Sequence, residues 1–231
     1  YGMRHASLWP ALACALVGLF AAAGCGREPA EVRPGGEPTA AAASRMKVVF
    51  LGDSLTAGYG LAPSEAYPSL LQARLQSAGL AAEVVNAGVS GDTSAGGLRR
   101  LDWALEGDVR VLVVALGGND ALRGLGTEDL RRNLAAIIER ARERRVTVIL
   151  AGMEAPPNLG RAYISAFRQV YRDLADAYRV ALIPFLLDGV AGRPSLNQAD
   201  FIHPNAAGAI KIANLVWPYV ERAVREAGRN D

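Results

Sequence analysis

At 231 residues and a mean hydropathy of +0.13, the chain is long enough to bury a core in one domain with a segment to spare. Its 25 basic and 23 acidic residues leave a net charge of +2, too small to make an electrostatic case for binding nucleic acid. The basic cluster "ERARERR" at 139–145 reads accordingly as the solvated face of a helix.

The first 45 residues differ in kind from the rest. Arg4 and His5 precede an uncharged, alanine-rich run, "ALACALVGLFAAAG", which ends just before Cys25. A basic start, a short apolar centre and small residues before a cleavage point form the pattern of a secretory signal peptide. Ala22, Ala23 and Gly24 before Cys25 resemble a bacterial lipobox, with Ala22 where leucine is usual. The expectation is a leader over residues 1–24 and a lipidated Cys25, hence an exported protein, periplasmic or held at a membrane through that lipid alone. An uncleaved anchor is the alternative, because 21 residues from Ala6 to Gly26 carry no charge, but Pro10 and the many small residues insert weakly. Residues 26–45 lack an apolar period and contain three prolines and a Gly-Gly pair, so 25–45 is expected to be a flexible tether. Both cysteines, Cys14 and Cys25, fall before the domain at 46–231, which leaves it no disulfide and no cysteine metal site.

From Met46 onward, short β-branched runs alternate with longer helical patterns. The runs are Val48–Leu51, Glu83–Asn86, Val109–Leu116, Val146–Ala151 and Val180–Ile183. Leu130, Leu134, Ile137, Ile138 and Ala141 recur at helical spacing, with Thr127 placed to cap that helix and Glu128 and Asp129 suited to its first turn. Phe167, Val170, Tyr171, Leu174 and Tyr178 form a second stripe, and Ile210, Ala213, Trp217, Val220 and Val224 a third. Such stripes are core faces. The alternation predicts an α/β fold with a parallel sheet between two helical layers, and ligands then meet the carboxyl ends of the strands.

That rule directs attention to "KVVFLGDSLTAGYG" at 47–60, a strand running into a glycine turn with Ser54 at its apex. Such a turn can cradle a phosphate or present a nucleophile. A phosphate site would need a lysine in the turn, and the only lysines, Lys47 and Lys211, lie outside it. A serine nucleophile needs a base. With His5 in the leader, His203 is the one imidazole left, and Asp200 stands three residues before it in "ADFIHPNAAG". In a turn, Asp200 can hold the second ring nitrogen and stabilise the imidazolium. Pro204 keeps His203 out of the helix that follows. An oxyanion hole requires donors aimed at the developing charge. Candidates on three strand-end loops are the N–H of Ser54, the N–H of Gly88 in "NAGVSGDTS" and the side-chain amide of Asn119 in "GGND". Asp53, Asp92 and Asp120 read as structural turn residues. No cluster has metal-ligand spacing, so neither metal nor cofactor is expected.

Taken together, "GDSL" at 52–55, "NAGVSGDTS", "GGND" at 117–120 and "DFIHP" at 200–204 resemble the ordered blocks of the SGNH, or GDSL, hydrolase family. The similarity runs from Met46 to the last helix. It is greatest to the bacterial branch of multifunctional acyl-CoA thioesterase I, protease I and lysophospholipase L1 enzymes and arylesterases, including "GGNDALRGL" and "PPNLGRAY". The resemblance implies a three-layer, flavodoxin-like fold with five parallel strands. It also implies metal-free hydrolysis of a small-molecule ester or thioester, with Ser54, Asp200 and His203 as triad and Ser54, Gly88 and Asn119 as oxyanion hole. Residues 121–126 correspond to a loop over the acyl chain, with Leu122, Leu125 and Ala155 against the substrate. Where the thioesterase branch has an Arg-Leu pair before a proline, this chain has Glu154-Ala155, as "GMEAPPN" does in arylesterase-like members. A carboxylate there does not help an anionic CoA, so short-chain or aryl esters are expected ahead of acyl-CoA and lysophospholipid. A surface lipoprotein that binds without turnover is the rival from another class. Oligomeric state is left open.

Overall fold

Five parallel strands form one sheet through the described residues, in the order β2-β1-β3-β4-β5. They are β1 (Met46–Gly52), β2 (Ala82–Gly88), β3 (Val109–Ala115), β4 (Thr147–Ala151) and β5 (Ala181–Ile183). The computed structural model describes residues 46–229; the expected leader at 1–24, the tether at 25–45 and Cys25 lie outside the described residues. All five expected runs are strands, and each is preceded or followed by helix in the alternation that forces crossover connections. β3 is buried on consecutive residues from Val111 to Ala115, as a central strand covered on both faces must be.

The helices are α1 (Ser54–Ala57), α2 (Tyr67–Ser77), α3 (Ser94–Arg99), α4 (Leu101–Ala104), α5 (Gly118–Leu122), α6 (Thr127–Glu143), α7 (Arg161–Tyr178) and α8 (Ala206–Ala227). α2 packs with α8, while α6 packs with both α3 and α7, which gives the sheet a layer on either face. The α6 stripe is fully buried at Leu130, Leu134, Ile137, Ile138 and Ala141. Each of its leucines and isoleucines contributes roughly 1.5–3 kcal/mol by leaving water. Two expectations are corrected. Thr127 is the first residue of α6 and caps nothing, because Gly126 holds the cap position without a side chain to offer. Ile210 is exposed, since the buried face of α8 runs through Ala209, Ile212, Ala213, Val216 and Val220, one position out of phase with it.

The strand order reverses direction at β1, whose two neighbours are β2 and β3. In register, Gly52 stands level with Gly88 on one side and Ala115 on the other. The loops leaving these three ends therefore emerge side by side at the crevice where such sheets bind ligands. Arg100 ties the edge together: Nη1 donates to Ala87 O at 2.7 Å, Nη2 to Gly52 O at 2.8 Å and Nε to Asp92 Oδ2 at 2.6 Å. Among the described residues no helix is long and apolar enough to cross a membrane.

Candidate active site

β1 delivers Ser54 as the first residue of α1. Its N–H, at a helix start, has no intrahelical acceptor. Asp53 before it caps the helix, Oδ1 accepting from the Leu55 N–H at 3.0 Å. His203 arrives from the other end of the chain, 149 positions away, with Nε2 2.9 Å from Ser54 Oγ. Its Nδ1 lies 2.6 Å from Asp200 Oδ2. The Asp200 carboxylate is fixed from behind, Oδ1 accepting the N–H groups of Ile202 and His203 at 2.9 and 3.0 Å. These three bonds, first of all the His203 side chain, lower the Asp200 pKa to about 2. Asp200 is therefore a carboxylate at neutral pH, able to accept from the ring.

The turn that folds Asp200 back on His203 passes through Phe201 at φ 59°, a left-handed conformation rare for a bulky side chain. It is anchored by Gln198, whose N–H donates to His203 O at 2.8 Å and whose amide donates to Tyr59 O and Pro204 O at 2.7 and 2.9 Å. Gln198 thus ties the histidine loop to the loop after α1. The Tyr59 ring lies against the imidazole, centroids 4.7 Å apart. Neither Gln198 nor Tyr59 carries a signal that sequence alone would single out.

Asn119, in α5 after β3, presents its amide at the same strand ends. Nδ2 donates to Asp92 O at 3.0 Å and lies 3.3 Å from Asp53 Oδ2. Asp120, next to it, is buried and turned away: Oδ2 accepts the Ser94 N–H at 2.8 Å, and Ser94 Oγ bonds Oδ1. That is the structural role expected of it, as is the ion pair of Asp92 with Arg100.

Gly88 does not hold the place expected for it. β2 runs two residues beyond Asn86, so Gly88 is its last residue and not part of the loop. Its N–H donates to Asn86 Oδ1 at 3.0 Å, and a Cβ there would stand 2.2 Å from Ala57 N. Gly88 is a close-packing position under α1. Gly91, three residues on at φ 83°, lines the cavity instead, and its N–H has no protein acceptor among the described residues. The Ser-Gly-Asp turn at 90–92 was the available signal for it.

Ser54, Asn119 and His203 face a cavity of about 560 Å³ walled mainly by apolar groups, among them Leu122, Met153, Ala155, Phe185 and Leu187. Leu122 and Ala155 line it as expected; Leu125 does not. Its N–H closes the turn onto Asp120 O at 2.9 Å and its carbonyl accepts from Tyr163 Oη at 2.7 Å, which holds it outside the wall. Glu154 does line the cavity, but both its oxygens accept from Arg168 at 2.7 Å, so that rim is a neutral pair and not a bare negative charge. A larger cavity of about 820 Å³ lies at the opposite end of β4 and β5, between Arg142, Arg179 and Arg222, and holds no nucleophile beside a base.

Residues 50–209 match the model of the GDSL-like lipase/acylhydrolase family. The chain is 46% identical over 177 residues to "Esterase TesA" of Pseudomonas aeruginosa, covering 76% of this chain and 88% of that protein. It is 40% identical over 165 residues to "Thioesterase 1/protease 1/lysophospholipase L1" of Escherichia coli, covering 71% and 78%. Among solved structures, AlinE4, an SGNH-hydrolase family esterase, superimposes with a TM-score of 0.65 at 43% identity over 78% of this chain and 96% of its own.

Proposed function

The chain belongs to the GDSL-like lipase/acylhydrolase family, and we propose from that footing that it hydrolyses carboxylic esters by acyl transfer through Ser54. The observation that carries this reading is the unbroken run from Asp200 Oδ2 to His203 Nδ1 at 2.6 Å and from His203 Nε2 to Ser54 Oγ at 2.9 Å. His203 Nε2 takes the hydroxyl proton as Ser54 Oγ bonds the acyl carbon, and the carbonyl electron pair moves onto oxygen. The N–H groups of Ser54 and Gly91 and the Asn119 amide stabilise that oxyanion. When the intermediate collapses, the bond to the alcohol breaks and the imidazolium returns its proton to the leaving oxygen. Water then attacks the acyl-enzyme by the same route, which releases the acid and restores Ser54.

The apolar cavity supports small acyl or aryl groups, with Ala155 leaving room where a longer side chain would fill it. The neutral Glu154–Arg168 rim gives an anionic leaving group no net attraction. On a panel of p-nitrophenyl esters of rising chain length, an acyl-CoA and a lysophospholipid, kcat/KM is expected to be highest for short-chain or aryl esters. A higher kcat/KM for acyl-CoA or lysophospholipid would overturn that preference and favour the second reading, which rests on the 40% identity to the multifunctional thioesterase.

Residues 1–24 are proposed to be a cleaved export leader, 25–45 a tether and Cys25 a lipidated first residue, on the basic, apolar and small-residue order described above. The mass of the mature N-terminus in a bacterial host tests this: a diacylglyceryl-modified Cys25 is expected, and an unmodified terminus or cleavage elsewhere would contradict it.

A further inference from the structure

Asp53 is an ionisable group buried in the middle of the site, and the mechanism above gives it no step. It is 3% exposed. Oδ1 is occupied by the Leu55 N–H, and Oδ2 faces the Asn119 amide at 3.3 Å. The remaining space around Oδ2 is tight, since a Cβ on Gly118 would come within 3.3 Å of it and 3.4 Å of Met153 Cε. No lysine or arginine pairs with it among the described residues. A buried carboxylate is costly unless something compensates it. As the cap of α1 alone, an asparagine would serve as well at lower cost.

We propose that Asp53, in its ionised form, is a positioning residue that holds the Asn119 amide against the Ser54 turn, so that turnover requires a second deprotonated group besides His203. Asn119 has two amide hydrogens. Asp92 O holds one, and the Asp53 carboxylate faces the amide at the longer distance, where a hydrogen can be shared with an oxyanion forming beside Ser54. An acceptor-only group at Oδ2 keeps Nδ2, not the amide oxygen, turned inward. A protonated Asp53 can itself donate, which leaves Asp92 O as the one remaining acceptor that holds Nδ2 inward.

The charges around Asp53 support this assignment. His203, from the histidine loop, lines the same cavity, and a positive imidazole there opposes the effect of burial on Asp53, whereas the neutral base that turnover uses does not. Tyr67 of α2 and Tyr171 of α7 are both pushed above the usual phenol range by burial and stay neutral beside it. Asp120 of α5 is engaged by Ser94, and Asp92, on the loop after β2, by Arg100. Burial raises the Asp53 pKa to about 6, with the Leu55 N–H, His203 and Asn119 opposing it. The cost of the buried charge is present in full above about pH 6 and is relieved as pH falls toward 3.8, the ordinary value.

This inference rests on the roles given to Ser54, His203 and Asn119. Asp53→Asn is the test, because its oxygen can still cap Leu55 while its NH2 confronts that of Asn119. In the full chain, log kcat/KM for p-nitrophenyl acetate, read at an isosbestic wavelength, is expected to approach a limiting acid slope of two in the wild type and one in Asp53→Asn. At pH 8 the variant should lose about 10- to 100-fold, mainly in kcat. Its thermal midpoint at pH 7 should be no lower than that of the wild type, and the wild type should gain on it as pH falls from 6 to 3.8. A merely structural aspartate would lower the midpoint and leave the slope alone. A slope of one in wild type still folded by circular dichroism would overturn the proposal even if the variant failed to fold. So would a variant with the wild-type rate and profile. Retention of activity in Ser54→Ala would instead remove the reading on which it rests.

Discussion

Ser54→Ala is expected to lose turnover by a factor of about 10⁴ or more while keeping its fold. Ser54 is partly buried in the cavity lining and its one side-chain bond is to His203 at 2.9 Å, so its removal frees only His203 Nε2, which faces the same cavity. The strand, the turn and the Asp53 cap remain, because they depend on backbone geometry and on the carboxylate next door. Residual hydrolysis would come from the oxyanion donors and the cavity acting on water. Kinetics on p-nitrophenyl acetate beside near-ultraviolet circular dichroism separate loss of chemistry from loss of structure. Comparable turnover in variant and wild type would show that the hydroxyl is not the nucleophile.

Asn119→Ala is expected to lower kcat by about 10²–10³ with KM changed little. Its amide is the one side-chain donor among the three proposed for the oxyanion, and charge develops on that oxygen only after binding. The two backbone donors, at Ser54 and Gly91, remain in the variant, which is why the loss stays below that of Ser54→Ala. Asp92 O and Asp53 Oδ2 lose their shared partner, and that adds a modest cost in stability. A variant impaired in KM alone would mean that Asn119 binds substrate and transition state equally, outside the role given to it.

The fold was readable because β3 must be apolar on consecutive residues, and α6 on one face, for any such sheet to bury itself. That Ser54, Asn119 and His203 would meet at one cavity was legible because the chemistry needed a nucleophile, a base and donors, and each type had a candidate at a strand end or on the last loop. Gly88 was misplaced because Gly88 and Gly91 share one stretch, and choosing between them needs the register. β2 pairs with β1 up to Gly88 opposite Gly52, two residues further than its β-branched run suggests. Ile210 failed for a related reason: a 22-residue helix tolerates more than one apolar phase, and packing against α2 and β3 selects one. Glu154 was identified correctly and its charge misjudged, since Arg168, 14 positions away on α7, neutralises it. The burial of Asp53 and the three-way grip of Arg100 depend on tertiary neighbours, which no local pattern encodes.

The central claim is that Ser54 is a nucleophile activated by His203 and Asp200. A fluorophosphonate probe tests it without assuming a substrate, because phosphorus accepts an activated serine oxygen and the adduct stays in place. Peptide mapping of the labelled chain should find one adduct, on the peptide carrying Ser54, and none in Ser54→Ala. Folded wild-type protein that stays unlabelled, or that carries the label on another serine, would contradict the account.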